Sequence, residues 1–264
     1  MAEKLTSAAN EAVKTAVRVR DSARFRREHS LFFLEGARLC ADAVHSGCTP
    51  AQVFYTPQAL ERYAGYLSAV LPAARRACEI TAPVAAKLTD TKTPQGVFGV
   101  FEIPPHTGEA EPSSGAYLAL ENIQDPGNLG AICRTAEALG VRGVVMSGCC
   151  DRYNPKAQRA AMGSLLRLNL IAAEDLTALL ERCAARGFKT YASVPDAHAV
   201  KVTQADFSGD VLTVIGNEGS GITPQVQDVC TRRITIPMGG RAESLNANSA
   251  AAILIWEMMR GRVG

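Results

Sequence analysis

Three polar stretches in this chain each follow an apolar run that predicts a buried strand. They contain the side chains best suited to chemistry, which are Asn128, Arg134, Glu218, Ser244 and Asn246. Carboxamide, carboxylate, hydroxyl and guanidinium groups can orient a ligand, move a proton or stabilise a charge that develops during a reaction. Because the carboxyl ends of parallel strands meet at one edge of a sheet, the three stretches predict a ligand crevice in an α/β domain.

The third stretch, IPMGGRAESLNANSAAAILIW, begins where Pro237 stops a strand, since proline cannot donate to a sheet ladder. Ser244 and Asn246 are natural helix caps, and the apolar run at 250–256 predicts a buried helix behind them. Taken alone, this pattern is as typical of an ordinary loop with a capped helix start as of a ligand site. The second stretch, VIGNEGSGI, also follows an apolar strand, and the pairing of the two stretches favours a ligand site.

The first stretch, ENIQDPGN, opens a predicted helix with Asn128 as its N-cap. Arg134 follows about 1.7 turns later, beside the apolar residues Ile132, Cys133 and Ala136. This placement predicts a buried guanidinium, whose charge requires a partner. The alternative is a surface arginine whose stem covers apolar residues while its charge stays in water.

The 264-residue chain is 47% hydrophobic and 20% charged, as expected of a globular protein with one large or two modest domains. It has no apolar run long enough to span a bilayer and no secretory signal, so we expect a cytoplasmic protein without membrane contact. Eight cysteines without zinc spacing predict buried, reduced thiols. No GxGxxG, GxxxxGKS/T or GxSxG motif occurs, and the four histidines lie outside the polar strand ends. These absences disfavour dinucleotide binding, hydrolase triads and a catalytic metal.

Alternating apolar strands and amphipathic helices predict two α/β units. We expect a small α/β/α sandwich at 1–104, a linker rich in proline, glycine and acid at 105–115, and a second unit at 116–264. In the first unit, helices are predicted at 11–28, 35–46, 57–71 and 83–88, and strands at 31–34, 52–55, 78–81 and 96–103. In the second, strands are predicted at 117–122, 143–146, 166–171, 190–194, 211–215 and 233–236, and the clearest helices at 129–139 and 174–185.

The predicted first helix is strongly basic. Between positions 14 and 27 there are six basic residues against one acid, Asp21. A solvated helix face explains such a run, and so does a surface that contacts nucleic-acid phosphates. The net charge of the chain, +2, does not decide between the two explanations.

Taken together, the stretches resemble the motifs of the SpoU/TrmH family of RNA ribose 2′-O-methyltransferases, within the SPOUT class. ENIQDPGNLGAICRTAEALG is similar to the first motif, VIGNEGSGI to the second and IPMGGRAESLNANSAAA to the third. Between the first two motifs, a segment with Lys156 and Arg159 resembles the family's linker helix, although Ala161 stands where members often have serine. Ala247 replaces the usual valine of the third motif. Upstream, FLEGARL and TKTPQGVFGV resemble the RNA-binding domain that many members carry.

The resemblance implies a fold and a reaction. The fold would be a C-terminal SPOUT-type parallel α/β sheet with a trefoil knot, preceded by a smaller α/β/α RNA-binding domain. Such a knot is an exception to the general rule for protein chains. The reaction would transfer a methyl group from S-adenosylmethionine to a ribose 2′-hydroxyl in RNA, in a homodimer and without a metal. The methyl donor would lie against Gly216, Asn217, Gly219, Ile236, Met238, Leu245 and Asn246.

The resemblance also implies roles for the polar side chains. Asn128, Arg134, Glu218, Ser244 and Asn246 would form the catalytic constellation. A guanidinium is a poor base at neutral pH, so we expect Arg134 to stabilise the developing alkoxide or to bind a neighbouring phosphate. Glu218 would orient Arg134 or another group. RNA would be contacted by Arg18, Arg24, Arg26, Arg27, Arg38, Lys156 and Arg159.

Three alternatives stay open. The chain could be an RNA-binding scaffold of the same fold that does not methylate, although all five catalytic positions are occupied as in the family. It could be a dinucleotide-dependent oxidoreductase, which the missing GxGxxG motif disfavours. It could act on transfer RNA instead of ribosomal RNA. The separate N-terminal domain favours ribosomal RNA, because the transfer-RNA enzymes of the family tend to lack it.

Overall fold

The computed structural model describes residues 3–105, 108–241 and 244–262. Positions 106 and 107 of the predicted linker and positions 242 and 243 of the third motif lie outside the described residues. The strands are β1 Glu3–Leu5, β2 Leu31–Glu35, β3 Pro50–Tyr55, β4 Ala77–Ile80, β5 Val97–Glu102, β6 Ala116–Glu121, β7 Gly143–Ser147, β8 Asn169–Ala172, β9 Lys189–Ser193, β10 Val200–Lys201, β11 Val211–Ile215 and β12 Arg232–Thr235. The helices are α1 Glu11–Asp21, α2 Ala23–His29, α3 Ala37–His45, α4 Pro57–Arg62, α5 Ala64–Ala73, α6 Ala82–Leu88, α7 Pro126–Ala138, α8 Pro155–Ala161, α9 Ser164–Arg167, α10 Leu176–Ala185, α11 Pro224–Val229 and α12 Ala247–Met259.

The described residues divide into two compact units. The first contains the residues up to 105 together with Asp151–Leu166, and the second contains 108–150 and the residues from Arg167 onward. The expected boundaries place 151–166 in the second domain, whereas this segment packs with the first unit. Tyr153 lies with its ring centroid 5.0 Å from that of Phe32. That the first unit binds RNA and the second carries the methyltransferase site stays a prediction.

The first unit is a five-stranded sheet with the order β1-β4-β3-β5-β2. β1, β4 and β3 are parallel, while β5 runs antiparallel to both β3 and β2. Side chains alternate between the faces of a strand. Phe33 of β2 therefore packs with residues of α1, α2 and α6, and its neighbours Phe32 and Leu34 pack with α3 and α5. Helices cover both faces, as the predicted α/β/α sandwich requires.

Several predicted elements differ from the observed ones for local reasons. The basic helix is two helices, because Ser22 ends α1 and caps α2 by accepting from the Phe25 N–H. The helix predicted at 57–71 is divided at Tyr63, whose backbone is not helical. The strand predicted from position 166 begins at Asn169, since Ser164–Arg167 is helical. β1 and β10 have only three and two residues, too few for a periodic pattern, and were missed.

The second unit is a seven-stranded sheet with the order β10-β12-β9-β11-β6-β7-β8, in which all neighbours are parallel. β6 and β11 are buried along their whole length, as expected for strands covered on both faces. Residues of α10 and α11 pack on one core cluster of the sheet, and α12 packs against α7, β6 and β11. The predicted C-terminal parallel sheet is confirmed, and the trefoil knot stays a prediction. None of the described helices is long and apolar enough to cross a bilayer.

The end of the predicted linker is bound to the second unit through Glu109. Its carboxylate accepts hydrogen bonds from Arg142 at 2.7 Å, from the Ser113 hydroxyl at 2.9 Å and from the Tyr117 hydroxyl. These bonds, chiefly the one from Arg142, lower the pKa of Glu109 to about 2. The residues before β6 are therefore part of the folded second unit and not a free tether.

Candidate active site

A cavity of about 180 Å³ opens at the carboxyl ends of β9, β11 and β12. Residues that follow these strands and the start of α12 form its walls. The structure thus brings the second and third motifs together. The predicted site residues that line it are Gly216, Asn217, Glu218, Gly219, Ile236, Met238, Ser244 and Leu245.

Gly216 occupies a position where no side chain fits. A Cβ there would lie 2.3 Å from the carbonyl carbon of Gly221 and 2.4 Å from the Ile222 nitrogen. The reason is that the loop folds back on itself, with Asn217 and Gly221 exchanging backbone hydrogen bonds of 3.1 and 3.0 Å. Gly219 is different, since a Cβ there would make only an ordinary contact of 3.5 Å with Asn217 Oδ1. A side chain is therefore sterically excluded at Gly216 but not at Gly219.

Asn217 organises this loop through its carboxamide. Its Oδ1 accepts from the backbone N–H groups of Gly219 and Ser220 at 2.8 and 3.1 Å. Its Nδ2 donates to the carbonyl of Asn122 at 2.8 Å. The hydrogen bonds of the Asn217 side chain thus go to backbone groups. Its contribution to a ligand site is to fix the shape of the loop.

Asn128 is not the cap of its helix, contrary to the prediction. α7 begins at Pro126, and Asp125 is its N-cap, with its carboxylate accepting from the Asn128 N–H at 2.9 Å. Proline is favourable at the first helical position, which fixes the start of the helix three residues earlier than expected. The Asn128 side chain is consequently available, and its Nδ2 donates to Glu218 Oε1 at 2.8 Å. This bond joins the first motif to the second.

Arg134 is exposed, and the prediction of a buried guanidinium on an apolar face was wrong. The buried stripe of α7 runs through Leu129, Ile132, Cys133 and Ala136. At about 100° per residue, position 134 points away from that stripe. No hydrogen bond or ion pair engages its guanidinium within the described part of the chain, and it is not among the residues that line the cavity.

The third motif places its two predicted caps differently. Asn246 is the N-cap of α12, and its Oδ1 accepts from the Asn248 N–H at 2.9 Å. α12 therefore begins at Ala247, earlier than the predicted apolar run. Ser244 lies two residues before the cap and lines the cavity, whereas Asn246 does not. The contact of Asn246 with a donor stays a prediction.

A third strand end contributes to the cavity and was missed in the sequence. Ser193, the last residue of β9, and the next two residues, Val194 and Pro195, line the wall. The available signal was a strand followed by proline, which is the pattern that marked Ile236 and Pro237. Other residues of the wall that were not predicted are Ile215, Gly221, Thr235, Ala247 and Ala250.

Cys149 lies close to the first motif but does not supply a nucleophile. Its thiol donates to the carbonyl of Leu120 at 3.3 Å, and burial raises its pKa to about 11. A thiol with that pKa is protonated at neutral pH, and the thiolate is the reactive form. Among the residues described here, no group of three His, Cys, Asp or Glu side chains is arranged to hold a metal ion.

Arg26 cannot contact RNA as predicted, because its side chain is only 3% exposed. Its guanidinium donates to the carbonyls of Val19 and Arg20, each at 2.8 Å, and forms an ion pair with Asp151 at 2.7 Å. Burial of an arginine requires such a set of acceptors. The residue ties α2 to the segment that follows β7, and its role is structural.

The other predicted RNA-contact residues lie at the surface or partly buried, and most have partners. Arg24 pairs with Glu28 at 2.6 Å, and the Arg18 guanidinium lies 4.1 Å from the centre of the Phe25 ring. The remaining ion pairs are Arg38 with Asp42 at 4.0 Å and Arg159 with Asp90 at 2.8 Å. Arg27 and Lys156 are exposed. Interactions with RNA by these residues stay a prediction.

Comparison with known proteins finds relatives for both units of the chain. The model of the SpoU rRNA methylase family matches residues 115–256, and the model of an MRM3-like substrate binding domain matches residues 10–99. An uncharacterised tRNA/rRNA methyltransferase of Synechocystis is 30% identical over 97% of this chain and 93% of its own length. A 23S rRNA (guanosine-2′-O-)-methyltransferase of Acinetobacter baylyi is 36% identical over 56% of this chain and 60% of its own length.

A solved structure matches both units. The AdoMet-bound rRNA methyltransferase from Sinorhizobium meliloti has a TM-score of 0.87 and 28% identity, covering 100% of this chain and 99% of that one. The family model spans all three motifs and more than half of the chain. This protein belongs to the SpoU rRNA methylase family.

Proposed function

We propose that this protein transfers a methyl group from S-adenosylmethionine (AdoMet) to a ribose 2′-hydroxyl in RNA. The observation that carries the proposal is the cavity formed by the second and third motifs, which the family resemblance assigns to the methyl donor. Support comes from a structural relative that was solved with AdoMet bound and from a sequence relative named as a 23S rRNA 2′-O-methyltransferase.

The residues around the cavity suit an adenosine-containing donor. Because Gly216 has no side chain, backbone N–H and C=O groups of the loop can come close to a bound donor. Such groups pair well with the edge of adenine. Ile236 and Leu245 supply apolar walls, as in most small-molecule sites. Met238 and Leu245 are large apolar residues that are nevertheless 39% and 37% exposed. Their side chains are therefore free to cover a bound donor.

The chemistry requires alignment more than activation. An O–CH₃ bond forms as the S–CH₃ bond breaks, the electron pair stays on sulfur, and the 2′-hydroxyl gives its proton to water or to an RNA phosphate. Arg134 is unpaired within the described residues, so its guanidinium can stabilise the alkoxide or bind an adjacent phosphate. Glu218 is held by Asn128, and Ser244 lies in the same cavity wall, so these groups would position the ribose and the donor.

Substitution of Arg134 tests whether the protein is an enzyme or a scaffold. If Arg134 stabilises charge only as the hydroxyl ionises, Arg134→Ala should lower the single-turnover rate by about 10²–10³ while AdoMet affinity stays near the wild-type value. Arg134→Lys should recover little, because one ammonium cannot reproduce the planar fork. Arg260→Ala is the matched control, since Arg260 is an exposed arginine of the same unit that pairs with Glu257.

The outcomes separate the possible roles of Arg134. Methyl transfer to ribosomal RNA at the wild-type rate would show that Arg134 is an ordinary surface residue. Equal losses of rate and AdoMet affinity would place it in the donor pocket. A methylated base in place of a methylated ribose, detected after hydrolysis of the RNA to nucleosides, would contradict the proposed reaction.

We also propose that the first unit contacts the RNA through a basic cleft, since several arginines predicted for this role are paired. The cleft has a volume of about 480 Å³ and lies between α4, α6 and the loop at 89–96. Arg62 and Lys92 line it, and the described lining residues include no carboxylate. Such a surface suits a phosphate backbone.

The loop at 89–96 is exposed but firmly held. Glu35, which is 8% exposed, accepts from the hydroxyls of Thr89 and Thr91 at 2.7 and 2.6 Å and from the Asp90 N–H at 3.1 Å. Glu35 belongs to FLEGARL and Thr91 to TKTPQGVFGV, so these bonds join the two stretches that resemble an RNA-binding domain. A polar surface loop held in one conformation is a good position for a contact residue such as Lys92.

Removal of the two cations of the cleft should weaken RNA binding but not donor binding. The double variant Arg62→Ala/Lys92→Ala should bind a 23S rRNA transcript more weakly and show a salt dependence reduced by about one unit of slope per lost phosphate contact. Arg75→Ala is the control, because Arg75 is equally exposed in the same unit but pairs with Glu102 at 2.8 Å. Equal affinities and slopes for the three proteins would remove the cleft from the RNA surface.

We further propose a homodimer formed through α12. This helix is apolar nearly all round, and such helices are normally buried. Ile253 and Trp256 are nevertheless 39% and 53% exposed in the single chain.

Sedimentation velocity should therefore give twice the mass of the chain. Trp256→Glu should shift the protein towards monomer, because the interface would bury a carboxylate without a partner. Tyr66→Glu, at an exposed aromatic residue of α5, should leave the mass unchanged. A monomeric wild-type protein at micromolar concentration would refute the dimer.

Ribosomal RNA is the proposed substrate, and transfer RNA is the alternative. A structural relative that matches the whole chain, including the first unit, is described as an rRNA methyltransferase. Mapping of ribose methylations in total RNA from cells with and without the gene would identify the RNA and the nucleotide. The cytoplasmic location stays a prediction.

A further inference from the structure

We propose that Glu121 is a positioning residue for the loop that carries the donor-binding residues, an inference that rests on the proposed function. We define the donor loop as residues 216–223, between β11 and α11. Glu121 is the last residue of β6, and its side chain is 5% exposed. Neither the sequence motifs nor the proposed reaction gives it a role.

Strand pairing places Glu121 beside the start of the donor loop. β6 and β11 are parallel neighbours with Leu120 opposite Ile215. The next residues along the two strands, Glu121 and Gly216, therefore lie side by side at the edge where the cavity opens. A register shift of one residue would turn Glu121 to the opposite face of the sheet.

Glu121 binds the far end of the donor loop. Thr223 donates its hydroxyl to Glu121 Oε1 at 2.7 Å and its backbone N–H to Oε2 at 2.9 Å. The side chain of Ile222, immediately before it, is buried in the core of the second unit. Both carboxylate oxygens thus hold a single residue, and this fixes where the loop returns to the sheet.

The neighbour of Glu121 binds the near end of the same loop. The carbonyl of Asn122 accepts the hydrogen bond from Asn217 at 2.8 Å. Both ends of the donor loop are therefore attached to two consecutive residues at the end of β6, Glu121 in the strand and Asn122 just after it. Glu218 and Gly219, which line the cavity, lie between these two attachments.

Burying the carboxylate of Glu121 costs free energy. A carboxylate removed from water loses hydration, and no lysine, arginine or histidine pairs with it within the described part of the chain. Two charge-assisted hydrogen bonds offset part of the cost. Since both bonds go to the donor loop, we infer that the carboxylate sets the shape of the donor site.

The first test compares three substitutions by calorimetric titration with AdoMet. Glu121→Ala should weaken the affinity by about tenfold or more, because the loop loses its anchor. Glu121→Gln should stay within about threefold, because an amide can accept from the Thr223 N–H and donate to its hydroxyl. Thr213→Val is the control: Thr213 is buried in the middle of β11, and its hydroxyl has no hydrogen-bond partner among the described residues.

The second test needs no ligand and so separates this inference from the proposed function. Amide hydrogen exchange at Gly219 and Ser220 should be about tenfold faster in Glu121→Ala and in Thr223→Val, with β6 and β11 unchanged. The Thr223 variant covers the case in which Glu121→Ala does not fold. Failure of the wild-type protein to bind AdoMet would refute the proposed function, whereas the exchange measurement would still test the anchor.

Two results would overturn the inference. Glu121→Ala could keep wild-type donor affinity and loop exchange and lose only thermal stability, which would make Glu121 a purely structural residue. Alternatively, Glu121→Gln could be as impaired as Glu121→Ala, which would show that two hydrogen bonds of the same geometry to Thr223 do not hold the loop in place.

Discussion

The parallel pairing of β6 with β11 is the constraint on which the rest of the active site depends. It sets the start of the first motif, at Glu121, against the start of the second, with Leu120 opposite Ile215. Every contact between these motifs follows from that register, including the bond from Asn128 to Glu218. The third motif then completes the cavity from β12, two strands away from β11 across β9. The residues proposed for catalysis and donor binding therefore come from distant parts of the sequence but lie at one edge of one sheet.

Much of the fold could be predicted from the sequence, because buried parallel strands are nearly continuous apolar runs and their ends are marked by glycine and proline. The cavity followed from the same reasoning, since strand ends of a parallel sheet must meet. Helix faces were less predictable. Arg134 has apolar neighbours in sequence, but only the angular position around α7 decides that it faces outward. Asn128 was predicted to be a cap because asparagine is a common N-cap residue. In the structure, Asp125 is the cap and the helix starts at Pro126.

The charge pattern of the first unit shows a second limit of sequence reasoning. A run of basic residues predicts an RNA surface, but some of the groups that engage its side chains are distant in the chain. Arg26 pairs with Asp151, and Arg20 donates to carbonyls at the end of α6. Tertiary contacts therefore decide which of the basic side chains stay unpaired. The cleft with Arg62 and Lys92 has no signature in composition, because its cations are separated by about thirty residues of ordinary helix, strand and loop.

The most direct test of this account is whether the loop at Gly216 forms the methyl-donor site. Calorimetric titration with AdoMet should give one site per chain for the wild-type protein and for Gly65→Ala, where no atom lies within 4 Å of the added Cβ. Gly216→Ala should bind no AdoMet, because its Cβ would lie 2.3 Å from the backbone of Gly221 and force the loop open. Equal binding by all three proteins would contradict the placement of the donor and, with it, the assignment of the three motifs.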